Sequence, residues 1–159
     1  MALGTPATVA LAAAGIAFTA HAYAHEAENT NFGLEAATAL CLDPAQVFKT
    51  LIVEVDGSVT VAIVPVTGTL DLKALASSVG GKKAEMADAK LAERKTGYVV
   101  GGISPIAQKT RHTTVLDETA ELFDTIYVSG GRRGFDIELA PADLLTVTGG
   151  FIAAIARAA

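Results

Sequence analysis

The chain has 159 residues, of which 51% are hydrophobic and 6% aromatic, and its formal net charge is −5. A chain of this length can bury about two-thirds of its unfolded surface in one domain, so it needs no disulfide or metal to fold. The acidic balance argues against a protein that holds nucleic acid through its overall charge, because phosphate binding depends on Lys and Arg. The single Cys41 cannot form an internal disulfide, which suits a reducing compartment.

Positive charge is unevenly distributed along the sequence. No Lys or Arg occurs before Lys49. A secretory signal peptide needs a basic start, so we do not expect the small apolar residues 11–24 to be one, and they are too few to span a bilayer. The distribution also allows a local basic patch in the middle of the chain, drawn from Lys82, Lys83, Lys90, Arg94, Lys95, Lys109, Arg111, Arg132 and Arg133.

About half of the residues are apolar, aromatics are sparse and tryptophan is absent, which indicates a core of Val, Ile, Leu and Ala that suits an α/β arrangement of sheets covered by helices. Thr5 and Pro6 are typical of a helix start, and Gly15 of its end. Asp56–Gly57 indicates a hairpin turn whose two strands we expect at the sheet centre. The remaining pattern predicts strands at 16–23, 47–55, 58–64, 83–86, 113–116, 125–129 and 135–139, helices at 32–40, 71–79, 88–96 and from Pro141, a short helical piece at 119–123, a turn at 130–134 and an apolar tail at 151–156.

The common catalytic and metal-binding patterns are missing. Cys41 lies between two leucines at a helix end without a basic neighbour, which predicts a buried structural thiol rather than a nucleophile. His21 and His25 are four residues apart, a spacing that suits a metal on a helix, but they fall on a strand and its exit. His112 is expected to be a surface histidine. We therefore predict neither a metal nor a cofactor.

Lys49 is a single cation at the start of an apolar strand. Strand alternation places it near a sheet edge or the mouth of a cleft. Two interpretations remain open: its stem packs on the surface with the ammonium in water, or the ammonium faces a ligand.

Two glycine clusters interrupt apolar runs, at Gly97–Pro105 and at Gly130–Gly134. Glycine allows the backbone to approach another group closely. We interpret the first cluster as the floor of a small pocket. Both clusters could offer backbone N–H donors to a ligand oxygen, or be turns only, and neither has the spacing of a P-loop or a dinucleotide fingerprint.

Several blocks of the sequence carry a family resemblance. Gly97–Pro105 reads GYVVGGISP and Tyr127–Gly134 reads YVSGGRRG; the other blocks are Thr5–Ala7, Phe32 and residues 47–51, 82–87, 96 and 126. In order, they resemble the YbaK/EbsC family of trans-editing aminoacyl-tRNA deacylases, from Thr5 to about residue 156. The chain looks most like the free-standing Cys-tRNA(Pro) deacylases of a superfamily that includes the editing insertion of bacterial prolyl-tRNA synthetase.

The resemblance implies one editing domain over residues 1–159, with a curved, partly barrel-like mixed β-sheet surrounded by helices. Its pocket would hold the aminoacyl group and the terminal adenosine of a mischarged tRNA. By family analogy, Lys49, Gly101 and Gly102 are the catalytic residues: Lys49 contacts the terminal nucleotide or phosphate, and the two glycines present backbone to the ester. The expected substrate-binding residues are Tyr23, Phe32, Thr50, Ser129 and Asp136.

The resemblance also implies a mechanism without a protein nucleophile. The thiol of the substrate cysteine would attack its own ester carbonyl, and a water held by Lys49 or Ser129 is the rival route. A binding module without turnover and a deacylase of different amino-acid specificity are the alternative functions.

The implied partners are the 3′ end of mischarged tRNA and prolyl-tRNA synthetase, in the cytoplasm and without a membrane. Two features depart from the family pattern. Ile106–Ala107 replaces a usual Leu-Gly, and Thr110 replaces a common lysine, which leaves one charge fewer in a loop expected to contact tRNA.

Overall fold

Five α-helices and ten strands alternate along residues 4–158, the part of the chain that this computed structural model describes. The helices are α1 (Pro6–Ala13), α2 (Phe32–Ala39), α3 (Leu72–Ser78), α4 (Ala89–Thr96) and α5 (Pro141–Thr148). The strands are β1 (Thr19–Ala22), β2 (Phe48–Val55), β3 (Ser58–Pro65), β4 (Gly68–Leu70), β5 (Ala84–Met86), β6 (Thr113–Asp117), β7 (Ile126–Arg132), β8 (Phe135–Leu139), β9 (Phe151–Ala153) and β10 (Ala156–Ala158). Short 3-10 helices span Pro44–Gln46 and Glu118–Leu122.

The helix starts follow from their capping side chains. Thr5 accepts a hydrogen bond from the Thr8 amide in a capping box ahead of Pro6, and Asp71 and Asp88 cap α3 and α4 in the same way. Such caps satisfy amides that have no partner within the helix. The predicted starts of these helices are therefore confirmed.

The largest sheet has five strands in the order β5-β2-β3-β6-β9. β2 and β3 form an antiparallel hairpin, and β3 pairs in parallel with β6. Asp56 and Gly57 have φ of 50° and 84°, the left-handed pair that a tight hairpin turn requires. The predicted hairpin and its inner position in the sheet are confirmed.

A second sheet has the antiparallel order β1-β8-β7, and β10 pairs with β4. The largest core cluster lies between the two main sheets and includes Ile52 and Ile63 from one, Ile137 from the other and Leu11 from α1. The predicted mixed α/β fold is confirmed. Within residues 4–158 no sheet closes on itself, and the link between β7 and the start of β2 is a single parallel bridge, Val47–Tyr127, so the partly barrel-like closure is not observed.

Three predictions about local structure are wrong. The expected apolar tail forms β9 and β10, which pair with β6 and β4 and whose three-residue length carries no alternation signal. β7 continues through the predicted glycine turn to Arg132, with an irregular register after Ser129. Cys41 is exposed, because it takes a left-handed φ of 55° in the turn that follows α2.

None of the helices within residues 4–158 has the length and hydropathy of a membrane span.

Candidate active site

A cavity of about 670 Å³ lies between β2, α4, the start of α2 and the β7–β8 hairpin. β5 pairs only with Val53–Val55, so the preceding part of β2 is not covered by another strand on that side. Consecutive residues of β2 therefore contribute to the cavity wall. The predicted site residues on this wall are Tyr23, Phe32, Lys49, Thr50, Gly101, Ser129 and Asp136, whereas Gly102 is not on it.

Lys49 is half-buried at the start of β2. No acidic group of residues 4–158 forms an ion pair with it, and burial lowers the pKa of its ammonium. A cation that is partly removed from water without a counter-charge favours an anionic ligand. Of the two interpretations of Lys49, its place on the cavity wall favours the ligand-facing one.

Thr50 follows Lys49 on the same wall, and its hydroxyl is buried without a hydrogen-bond partner in the described chain. Buried hydroxyls nearly always have a partner, from the protein, from water or from a ligand. The unpaired Thr50 hydroxyl at the cavity is therefore available to a bound molecule.

Asp136 and Ser129 are directly opposite each other on β8 and β7. Asp136 is only 6% exposed, and no hydrogen bond from residues 4–158 reaches its carboxylate. Burial raises the pKa of Asp136 to about 7. The Ser129 hydroxyl accepts a hydrogen bond from the Gly131 amide at 3.2 Å and retains its own proton to donate. The pair thus presents a carboxyl group and a hydroxyl to the cavity.

Tyr23 lies just after β1, where its amide donates to the Gly134 carbonyl at 2.9 Å. Burial raises the pKa of its phenol, and the nearby carboxylates of Asp136 and Glu35 raise it further. The phenol therefore stays neutral and can both donate and accept a hydrogen bond.

The loop from Gly97 to Pro105 forms the cavity floor through a tight turn. The Gly102 amide donates to the Val99 carbonyl at 2.8 Å, and Gly101 has a φ of 89°. A turn closed in this way needs a positive φ at its third residue, which explains the glycine at 101. The Gly101 amide donates to no acceptor among the described residues and remains free at the cavity.

That Gly102 offers its backbone to an ester stays a prediction, which this turn limits to atoms other than the N–H. Its N–H is already used, and a Cβ on Gly102 would lie 2.6 Å from the Arg132 Cα. Gly102 is glycine because the loop packs directly on the β7–β8 hairpin. Tyr98 stabilises this loop, because its hydroxyl donates to the Ile106 carbonyl at 2.6 Å.

Sequence reasoning missed a cluster that holds Phe32 at the rim of the cavity. The Arg133 guanidinium lies 5.3 Å from the Phe32 ring centre, and its Nε donates to the Val100 carbonyl at 2.8 Å. The His25 ring lies 5.7 Å from the same ring, and its Nδ1 is 2.7 Å from a carboxylate oxygen of Glu35. The contacts of Arg133 join segments far apart in sequence, and no local periodicity signals them.

Glu35 is buried at the centre of this cluster and also accepts the Glu26 amide at 2.7 Å. Burial opposes its ionisation, but the hydrogen bonds from His25 and Glu26 hold its pKa below the usual range. His21 and His25 thus each contact a glutamate, at Glu138 and Glu35. Among residues 4–158, no group of three or more His, Cys, Asp or Glu could hold a metal ion.

Comparisons with known proteins identify the family to which the chain belongs. The family model of the aminoacyl-tRNA editing domain matches residues 28–147. EbsC of Enterococcus faecalis, provisionally assigned as a Cys-tRNA(Pro)/Cys-tRNA(Cys) deacylase, is 43% identical over 122 residues, which cover 75% of this chain and 73% of EbsC.

Two crystal structures share the fold. The hypothetical protein APE2540 matches with a TM-score of 0.85 and 26% identity, over 96% of this chain and 100% of that one. A provisionally assigned trans-editing enzyme for prolyl-tRNA synthetase matches with a TM-score of 0.83 and 23% identity, over 99% and 98% of the two chains. The chain therefore belongs to the aminoacyl-tRNA editing domain family, which confirms both the resemblance and the predicted activity as an editing deacylase.

Proposed function

We propose that the protein hydrolyses Cys-tRNA(Pro), releasing cysteine from tRNA that prolyl-tRNA synthetase has mischarged. The observation that carries this proposal is a cavity with a free backbone donor at Gly101 and a cation at Lys49, but without a cysteine or histidine on its wall in the described chain. Such a wall can position an ester and stabilise an oxyanion, but it supplies no thiol or imidazole of its own. The assignment of EbsC supports cysteine as the amino acid.

The substrate supplies the missing nucleophile. Its thiol sulfur bonds to the ester carbonyl carbon, the bond from that carbon to the ribose oxygen breaks, and the thiol proton ends on the ribose oxygen. Water then opens the resulting thiolactone to free cysteine. Holding the two groups in attack geometry is worth up to about 7–11 kcal/mol in the best intramolecular reactions.

Each cavity residue has a role in this scheme. The Gly101 N–H stabilises the oxyanion, and Lys49 holds the phosphate of the terminal nucleotide. Ser129 and Asp136 hold the aminoacyl group, Asp136 as the counter-charge of the α-ammonium. Tyr23, Phe32 and Thr50 shape the pocket, and Gly102 lets the loop pack against the hairpin.

The proposal also covers the protein that delivers the tRNA and the cellular location. Residues 1–159 act as one editing domain in the cytoplasm, and prolyl-tRNA synthetase delivers the tRNA. The net charge of −5 supports this dependence, because the chain as a whole does not attract a polyanion.

A panel of aminoacylated tRNA(Pro) species, carrying cysteine, alanine or proline, tests the proposal at enzyme excess. We expect rapid release of cysteine and slow release of the other two amino acids. Preferential release of alanine would replace the proposal with a deacylase of different specificity. Binding of all three without release would instead favour the non-catalytic alternative.

A further inference from the structure

The peptide that joins Val100 to Gly101 carries the free amide of the cavity floor. The turn around this peptide is closed by the Gly102 amide, which donates to the Val99 carbonyl. Gly101 has a φ of 89° and Val100 has no positive φ, which together define a type II turn. A planar trans peptide directs its C=O and its N–H to opposite sides. The direction of the Val100 carbonyl therefore sets the direction of the Gly101 N–H.

Glycine at position 101 does not by itself fix this direction. A type I turn closes in the same way with its central peptide turned over, and its third residue has a φ of about −90°. Glycine adopts positive and negative φ about equally well. In the turned-over peptide a carbonyl oxygen would replace the N–H at the cavity and would repel an oxyanion. A group outside the turn is therefore needed to hold the peptide as it is observed.

Arg133, which follows β7, holds the carbonyl of this peptide. Its Nε donates to the Val100 oxygen at 2.8 Å, and its guanidinium lies 5.3 Å from the Phe32 ring centre. A Cβ on Gly101 would lie 2.8 Å from the same Nε, so the guanidinium lies directly against the turn. No carboxylate of residues 4–158 forms an ion pair with Arg133. The described chain therefore does not neutralise the charge that faces the carbonyl.

Glu93 of α4 holds the other backbone group of Val100. Its carboxylate accepts the Val100 amide at 2.8 Å. Hydrogen bonds with one ionised partner are about twice as strong as neutral ones. Turning over the Val100–Gly101 peptide would break the bond to Arg133 and leave the bond to Glu93 intact. Glu93 therefore anchors the start of the turn, and Arg133 selects the orientation of its central peptide.

The bond from Arg133 also strengthens the free amide. A donor at a peptide oxygen polarises the whole peptide group, and hydrogen bonds linked in this way reinforce one another by about 10–30% per bond. The cationic donor at the Val100 oxygen therefore makes the Gly101 N–H a better donor to a negatively charged oxygen.

We propose that Arg133 is a positioning residue of the editing reaction: it holds and polarises the Val100–Gly101 peptide so that the Gly101 N–H is directed at the oxyanion. The inference rests on the proposed function, because the oxyanion belongs to the ester that this function places in the cavity. In this role Arg133 acts through the backbone and does not contact the reacting atoms.

Arg133→Met tests the proposal, because methionine keeps an unbranched side chain beside Phe32 and removes the donor to Val100. Arg133 is exposed, so its replacement leaves the core unchanged. We expect kcat for Cys-tRNA(Pro) to fall about tenfold, less than the 10²–10³ for complete loss of an oxyanion donor, with KM unchanged. Cysteinyl-adenosine, which has the same ester but no phosphate, should show the same loss. Arg133→Lys restores a cationic donor and should recover most of the activity.

Arg132→Met is the matched control. Arg132 precedes Arg133 in the same hairpin, but its guanidinium lies 4.5 Å from the Phe135 ring centre, and it is not on the wall of the cavity. The variant removes the same charge without touching the Val100 carbonyl. It should therefore edit both substrates as the wild type does.

Nuclear magnetic resonance reports the orientation of the peptide without any substrate. In Arg133→Met the Val100 carbonyl carbon and the Gly101 amide nitrogen should both shift upfield, because the peptide is less polarised. Neither resonance should move in Arg132→Met. The remaining resonances of the same spectra show whether each variant is folded.

Wild-type kcat in Arg133→Met would overturn the proposal. A rise in KM for Cys-tRNA(Pro) with unchanged hydrolysis of cysteinyl-adenosine would also overturn it, since Arg133 would then contact the phosphates of the tRNA. So would a loss that disappears when Phe32→Leu is present as well, since Arg133 would then act through the ring. If the wild type cleaves neither ester, the proposed function fails, and the two resonances alone decide whether Arg133 holds the peptide.

Discussion

The two glycine-rich regions resemble each other in sequence but differ in what the backbone does. In the loop at 97–105 the Gly101 amide is free at the cavity wall. In the β7–β8 hairpin the Gly131 amide donates to Ser129, and the Gly130 carbonyl accepts the Thr5 hydroxyl at 2.6 Å. The difference is that the loop leaves one backbone amide without a partner in the described chain, whereas the hairpin glycines are held in contacts within the protein, and on this difference we base the proposed role of the loop.

The largest effect is expected for Gly101→Val. A Cβ at this position would lie 2.7 Å from the Phe32 ring, and the side chain would enter the cavity. Valine keeps the backbone N–H, but this clash displaces it from its position at the cavity. Loss of an oxyanion donor typically costs about 10²–10³ in kcat, so we expect at least this loss in single-turnover deacylation.

Gly80→Val is the matched control for backbone strain, because Gly80 has a similar φ of 72° and no atom within 4 Å of its Cβ position. Both variants should lose about 1–2 kcal/mol of stability from the left-handed φ. If the folded Gly101→Val variant edits normally, the loop has no role in the mechanism.

Lys49→Ala should have the next largest effect. Removing a charge-assisted hydrogen bond to the substrate costs about 1.5–3 kcal/mol, or about 10- to 150-fold in kcat/KM. The thermal midpoint should change little, since Lys49 forms no ion pair in residues 4–158. Full activity of the variant would mean that the ammonium of Lys49 lies in water and does not face the ligand.

Gly130→Ala tests whether the glycines of the hairpin serve packing only. A Cβ on Gly130 would lie 2.4 Å from the buried Phe135 ring. Such overpacking typically costs about 1–3 kcal/mol of stability, which a denaturant titration measures. Activity per folded molecule should stay within a few-fold of the wild type, and a selective loss of kcat in a stable variant would mean that the hairpin backbone also serves chemistry.

Asp136→Asn should have its smallest effect at low pH, where Asp136 is itself uncharged, and shows as a change in pH dependence. Burial raises the pKa of Asp136 from 3.8 to about 7. The folded state therefore binds a proton more tightly than the unfolded chain, and this stabilising contribution is full below pH 3.8 and is lost as the pH rises through about 7.

The free energy of unfolding of the wild type should thus fall relative to the variant between about pH 4 and pH 8. If ionised Asp136 holds the substrate ammonium, kcat/KM should rise through about pH 7 in the wild type and lose that inflection in the variant. Identical pH profiles of the two proteins would exclude this role.

The sequence predicts the fold where the signals are local. Capping residues such as Asp71 and Asp88 and the Asp56–Gly57 turn act within a few residues, and the elements they predict are present. β9 and β10 are not predicted, because three-residue strands exist only through partners distant in sequence.

The same distinction holds at the candidate site. Family analogy predicts eight site residues, and all of them except Gly102 line the cavity. It does not predict that the Gly102 amide is used within the turn, or that Arg133 covers Phe32. Which amides donate within a turn depends on the folded backbone, and so does which distant side chains meet. Neither leaves a periodic signal in the sequence.

The most direct measurement is single-turnover deacylation of Cys-tRNA(Pro) and Ser-tRNA(Pro) side by side at saturating enzyme. Serine replaces the sulfur with oxygen at nearly the same size, so positioning is retained while the nucleophile is weakened. We expect rapid release of cysteine and release of serine slower by at least tenfold. Equal rates, or no release of cysteine, would contradict it.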